Sequence, residues 1–220
     1  MATMTIVASL LPLVCFLLYP FIVDRLEARR PTLSALMSRQ RHRWVANAVI
    51  RETPMDAILS GNLMSSVSFF ASTTVLLILA LFAVFGQLSA LRSATEHLQP
   101  LLTQFDLEIH LMAVLAIFVV AFLAFTLSLR NFNHFCIMLG AVRHDGTATP
   151  REISVIATLN TIGARNFNQG IRAYYFAMAS LAWFASPWLA VATTIVIIGV
   201  LVYREFFSTS RQLINSISTQ

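Results

Sequence analysis

The chain has 220 residues, of which 57% are hydrophobic and 11% charged, a composition that excludes an ordinary soluble domain. Its fifteen basic residues are all arginine and give a formal charge of +5 without the lysine-rich tails that nucleic-acid-binding proteins carry. We therefore expect one membrane domain over residues 1–220, no nucleic-acid partner, and arginines that meet lipid headgroups.

The first predicted element is an apolar span at residues 4–23. About 20 helical residues cross the hydrocarbon core of a bilayer, so this uncharged run is long enough. A cleaved signal peptide would need a basic residue before the apolar run and a small-residue cleavage site after it, and the sequence has neither. We expect a retained first span.

An arginine-rich segment at residues 24–61 holds seven of the basic residues. Leu33, Leu36 and Trp44 recur with a helical period, which predicts a helix lying on the membrane surface with Trp44 at the headgroup level. The run from Arg39 to Arg43 favours a solvated or lipid-facing charge cluster over a ligand site.

Thr53, Pro54 and Asp56 predict a helix start, since Thr is a favoured N-cap, Pro fits the first helical position and the acid bonds back to the cap. The apolar run that follows predicts a span at residues 63–86. Small residues recur on one face of it, which favours close packing against a neighbouring helix in lipid, with a polar lining as the alternative. This small-residue seam consists of Gly61, Ser65, Ser68 and Ser72.

The connector after this span carries more acids than arginines, so the positive-inside rule places it away from the cytoplasm. Its acidic and histidine residues match no known metal-ligand spacing, and we expect no metal site; they are Glu96, His97, Asp106, Glu108 and His110. A third span follows at residues 109–129.

The central segment, residues 130–181, contains the letters Arg-Asn-Phe-Asn twice, beginning at Arg130 and at Arg165. On a helix the polar residues of each copy share one face, and aromatic residues lie opposite. Between the copies, Thr149 and Glu152 repeat the pattern of a helix start.

The last apolar run predicts a span at residues 182–203, with Trp183 and Trp188 near the inner surface and Tyr203 near the outer one. Pro187 is expected to kink it, and whether residues 173–203 form one kinked helix or two pieces stays open.

Four spans with residues 24–61 and 130–181 inside put both termini outside, in the cell inner membrane. In each half a short uncharged run leads into an arginine-rich segment, a Thr-Pro helix start and a long apolar run. This pattern favours a parallel internal repeat.

Several of these stretches resemble the domain of unknown function 599 family, multi-pass membrane proteins of bacteria and plants. The stretches that carry the resemblance are the arginine-rich segment ending in Trp44, residues 56–73, Phe132-Asn133-His134 and residues 167–175. The resemblance covers most of the chain. It implies an all-helical membrane fold and implies no reaction.

A set of arginine, amide and acid side chains is the candidate binding site for a ligand or a lipid headgroup. Arginine binds phosphate and carboxylate bidentately, so the set suits an anion or an anionic headgroup of the inner leaflet. The other interpretation is that these groups pair with each other to hold helix ends together. The residues are Arg130, Asn133, His134, Arg165, Asn168, Gln169, Arg172, Asp56 and Asn62.

No phosphate loop, nucleophile elbow or metalloprotease spacing occurs, so no catalytic residue is assigned and no cofactor is expected. The function favoured by the sequence is an oligomeric channel or transporter for a small solute or anion, because four helices are too few to enclose a pore alone. The alternative is a structural or accessory subunit that packs against a larger membrane complex through the small-residue seam.

Overall fold

The structure is a computed structural model that describes residues 2–28, 30–51, 55–95 and 103–218. These residues form helices and no strands, as the sequence predicted. The helices are α1 (Ala2–Glu27), α2 (Leu33–Ala48), α3 (Met55–Phe85), α4 (Leu88–Thr95), α5 (Gln104–Ala141), α6 (Pro150–Leu181), a 3₁₀ turn (Ala182–Phe184), α7 (Pro187–Phe206) and α8 (Thr209–Ser218).

Four helical stretches of the described chain are long and apolar enough to cross a membrane, which confirms the predicted fold class. They are longer than the predicted spans, and where a bilayer cuts them stays a prediction. The stretches are Thr5–Glu27, Met55–Phe85, Phe105–Ala141 and Pro187–Ile217.

The start of α6 confirms the predicted helix cap. The backbone N–H and the hydroxyl of Thr149 donate to Glu152 Oε2 at 2.8 and 2.7 Å, and the Glu152 N–H donates back to Thr149 Oγ1 at 3.3 Å. These hydrogen bonds hold the pKa of Glu152 below its ordinary value. The corresponding residues before α3, Thr53 and Pro54, lie outside the described residues, as do Glu96 and His97.

The last apolar run is two pieces, and the expected kink at Pro187 is wrong. The helix that precedes it ends at Leu181, a 3₁₀ turn follows, and Pro187 is the first residue of α7. A proline at the first helical position loses no hydrogen bond, whereas the residue before it is steered away from helical backbone angles. The helix that follows the second Thr-Pro start is therefore the polar α6, and the internal repeat stays a prediction.

The chain divides into two compact units, to which α3, α5 and α6 each contribute residues. Unit 1 comprises Met1–Arg29, Thr73–Phe122 and Gly170–Tyr203, and unit 2 comprises Arg30–Ser72, Leu123–Gln169 and Arg204–Gln220.

The core of unit 1 joins the first residues of α1 and α5 to the 3₁₀ turn. Trp183 is fully buried, donates its indole N–H to the carbonyl of Thr5 at 3.3 Å and stacks on His110 with ring centroids 4.1 Å apart. The expected position of Trp183 at the inner surface conflicts with these neighbours, which the same topology puts outside. The prediction kept residues 130–181 inside, whereas α6 is one continuous helix that ends at Leu181, directly before the 3₁₀ turn.

The core of unit 2 covers the apolar face of α2, so that this face meets protein. Its buried residues are Val45, Ala48, Val49, Phe135, Leu139, Ile156 and Ala157.

The C-terminal residues of unit 2 attach to the beginning of α2. Glu205 Oε1 accepts the backbone N–H of Ser34 at 3.1 Å, Arg211 Nε donates to the carbonyl of Pro31 at 2.9 Å, and α8 packs against α2. A C-terminus outside and an α2 inside therefore cannot both be right, because α8 lies against α2.

Candidate functional site

The predicted site residues are divided between the two compact units. Eight of the nine belong to unit 2, and Arg172 belongs to unit 1. No hydrogen bond or ion pair joins any two of them in the part of the chain that the structure describes, so the interpretation that they pair with each other is wrong. Asp56 is buried and Arg172, Asn168 and Gln169 are half-buried, whereas the exposed members are Arg130, Asn133, His134, Arg165 and Asn62.

Asp56 is the best-connected of the candidates, and its partners were not among them. Its Oδ1 accepts the indole N–H of Trp44 at 2.6 Å and a guanidinium N–H of Arg51 at 3.1 Å. Trp44 also packs against Phe135, with ring centroids 5.5 Å apart. The carboxylate thus joins the first turn of α3 to α2 and neutralises Arg51.

Arg172, unlike Asp56, contacts an aromatic ring through its charged group. The guanidinium carbon lies 5.0 Å from the ring centroid of Tyr19, a buried residue of α1 within the candidate span Thr5–Glu27. Phe176 follows one turn later and packs against the same ring, with centroids 6.4 Å apart. Among the described residues no carboxylate pairs with Arg172, so a cation–π contact is the electrostatic support that unit 1 gives it.

Other residues of α6 contact two more of the candidate spans. In unit 1 the hydroxyls of Tyr174 and of Thr74 in α3 share a hydrogen bond of 2.7 Å, and the ring of Phe118 in α5 meets Tyr174 edge-on at 6.0 Å. In unit 2 the ring of Phe167 lies 5.6 Å from that of Phe70 in α3. A helix with arginine and amide side chains therefore lies among helices of membrane-spanning length.

The small-residue seam of α3 is exposed at all four positions, so it does not pack within the chain. The buried side of α3 consists instead of Asp56, Ser60, Val67, Ala71 and Thr74. The seam as a packing surface for another molecule stays a prediction.

The sequence interpretation missed three residues. Gly163 of α6 packs against the ring of Phe132, and Asn160 is buried with no hydrogen-bond partner for its amide in the described chain. Arg41, expected in a solvated run, is half-buried, and burial lowers the pKa of its guanidinium. The helical period was the available signal, because Arg41 falls on the same face as Val45 and Ala48.

No group of three metal-ligating residues comes together within the described ranges. Two of the acidic and histidine residues considered as metal ligands have structural roles in α5 instead. Asp106 accepts from the backbone N–H and the hydroxyl of Thr103 at 3.0 and 2.7 Å and so caps α5, while His110 is buried against Trp183.

An all-helical chain with four stretches of bilayer length is a multi-pass integral membrane protein. The chain belongs to the family described as protein of unknown function, DUF599, whose model matches residues 7–210. No curated protein and no solved structure matches the chain.

Proposed function

We propose that the protein is an oligomeric membrane channel or transporter and that its solute is a small anion held at Arg172. The observation that supports the proposal is the guanidinium of Arg172 over the ring of Tyr19, without a carboxylate partner among the described residues. Ionisable groups at the depth of membrane spans are costly and are found where an ion or substrate passes. A guanidinium backed by an aromatic ring leaves its N–H donors for an anion.

The oligomer is supported by the exposure of α3. Only 17% of the most apolar part of α3 is buried within the chain. The buried share of the corresponding part is 33%, 44% and 28% in the other three stretches. The outward side of α3 carries serines and Asn62. Polar and small side chains that face lipid favour association of helices, so a second subunit would cover this side.

The membrane orientation that we propose is supported by the positions of the arginines and by the contacts of α8. We place α2 and α8 on the cytoplasmic side of the inner membrane, where the exposed Arg39 and Arg43 meet anionic headgroups. The N-terminus stays outside. An outside start and an inside end require an odd number of crossings, and α6 supplies the fifth.

The test is anion flux into proteoliposomes, with chloride and nitrate as the probes. We expect the wild-type protein to admit them faster than empty liposomes do, and Arg172→Gln to lower the rate roughly tenfold or more, because a charge-assisted contact is lost. The matched control is Arg151→Gln on the same helix, whose side chain is exposed and whose loss should leave the rate within about twofold.

A chloride and nitrate rate no higher than that of empty liposomes would reject the anion proposal. Equal rates in the two variants would reject the role of Arg172. Tyr19→Phe keeps the ring and should preserve flux, whereas Tyr19→Leu removes the ring and should lower it.

The second candidate function is an accessory subunit of a larger membrane complex. The exposed small-residue seam supports it equally, since any membrane helix with a complementary face could pack there. Isolation of the native protein with one partner at fixed stoichiometry, together with an absence of flux, would favour this function over the first.

A further inference from the structure

Unit 2 contains a cavity of about 550 Å³ that is lined by the end of α2, the first turns of α3, the end of α5 and the loop that follows α5. Its wall is made largely of apolar or small residues, among them Ala57, Met64, Cys136 and Gly140. This volume lies within the range of small-molecule sites, which are mostly apolar with a few polar groups that orient the ligand.

The polar groups of this cavity are Arg51, Asp56, Ser60 and His144. Two of them make hydrogen bonds to other residues of the protein. Asp56 Oδ1 already accepts from Trp44 and Arg51, and the hydroxyl of Ser60 donates to the carbonyl of Asp56 at 2.7 Å.

The largest unused hydrogen-bonding capacity of the polar edge belongs to Arg51. Toward the described residues the guanidinium of Arg51 makes one hydrogen bond, to Asp56, out of five N–H groups. The ring nitrogens of His144 face the carbonyls of Ala48 and Leu139 at 3.2 and 3.1 Å, so both already have partners in the backbone. A carboxylate or phosphate head suits this edge, because its oxygens can accept several guanidinium N–H groups at once.

We propose that the cavity binds a single-chain amphiphile whose head is a carboxylate or a phosphate. The head meets Arg51, and the apolar chain lies along Met64, Cys136 and Gly140. This site goes beyond the proposed function, because it involves neither Arg172 nor flux, and its test leaves that proposal untouched.

Gly140 provides a way to close the cavity without disturbing the fold. A Cβ added there meets no atom within 4 Å and Gly140 lines the cavity, so we expect the side chain of Gly140→Leu to fill part of it. Leucine also has the higher helix propensity, which favours folding of the variant. Gly199→Leu is the matched control, since a Cβ there also meets nothing within 4 Å and Gly199 does not line the cavity.

Cys136 is the reporter, because its thiol lines the cavity and lies 3.8 Å from the sulfur of Met64. In a Cys15→Ala background held in lipid nanodiscs, the rate of its reaction with N-ethylmaleimide is measured by mass spectrometry. The probes share a twelve-carbon chain and differ in the head: dodecanoate, dodecyl phosphate, dodecanol and dodecyltrimethylammonium.

We expect dodecanoate or dodecyl phosphate at about ten times its Kd to slow labelling roughly tenfold, and the neutral and cationic probes to have little effect. Whichever of the two protects Cys136 more strongly identifies the head group. Gly140→Leu should remove the protection and Gly199→Leu should keep it. Equal protection by all four probes, protection by none, or protection that survives in Gly140→Leu would overturn the proposal.

Discussion

Gly163 marks a close approach between α5 and α6 in unit 2. A Cβ at this position would lie 2.9 Å from Cε1 and 3.0 Å from Cδ1 of Phe132, whose side chain is buried. The hydroxyl of Ser128 donates to the carbonyl of Gly163 at 2.7 Å in the same contact. The absence of a side chain therefore lets the two helices meet, as small residues do in membrane bundles.

Gly163→Val should destabilise the protein by about 1–3 kcal/mol, because the ring of Phe132 has to move within a packed core. Thermal unfolding in a mild detergent measures the loss. Gly199→Val, at a glycine with open space around it, should change stability by no more than about 0.5 kcal/mol. Equal melting temperatures for the two variants would contradict the role given to Gly163.

At the scale of the element, α3 is distinguished by how little of it the chain covers. Its buried residues and its small-residue seam lie on different sides of the helix, so the seam is available to a second subunit. The sequence pattern indicated that another helix could approach there. The pattern does not distinguish a helix of this chain from a helix of a second subunit.

Ser68→Cys should form disulfide-linked dimers on oxidation, in a background without Cys15 and Cys136, if α3 pairs with its copy through the seam. Ser66→Cys is the matched control, because two residues along a helix place it on roughly the opposite side at the same depth. Both serines are exposed, so accessibility does not separate them. Dimers of equal yield, or none from Ser68→Cys, would argue against pairing through the seam.

At the scale of the whole molecule, the contact of α8 with α2 links the C-terminus to the arginine-rich segment. The orientation proposed above therefore has α2 and α8 on one side and the connector between α3 and α5 on the other.

Single cysteines at Arg39, Ser210 and Ser93 test this arrangement, since all three positions are exposed. With a maleimide that does not cross membranes, we expect Ser93→Cys to react in intact cells. Arg39→Cys and Ser210→Cys should react only after permeabilisation. Labelling of Ser210→Cys and Arg39→Cys from different sides would contradict the topology. Labelling of Arg39→Cys from outside would show that the orientation is the opposite of the one proposed.

Much of the fold was predictable because the bilayer imposes simple rules on a sequence. Helices of spanning length show as long uncharged runs, and the cap formed by Thr149 and Glu152 depends on residues three apart. The course of α6 was not predictable in this way. Arg165 and Arg172 interrupt its apolar character. The position of Arg172 beside another helix depends on its contact with Tyr19, a residue that is remote in the sequence.

The sequence by itself determined the class of protein, the presence of long apolar helices and the family, since composition, local capping and motif content are properties of the chain alone. Only the tertiary structure decided that α8 packs on α2, that Asp56 binds Trp44 and Arg51, and that the seam of α3 faces outward. These features depend on which surfaces meet in space. Several faces of an apolar helix are equally acceptable to lipid, so periodicity does not select among them.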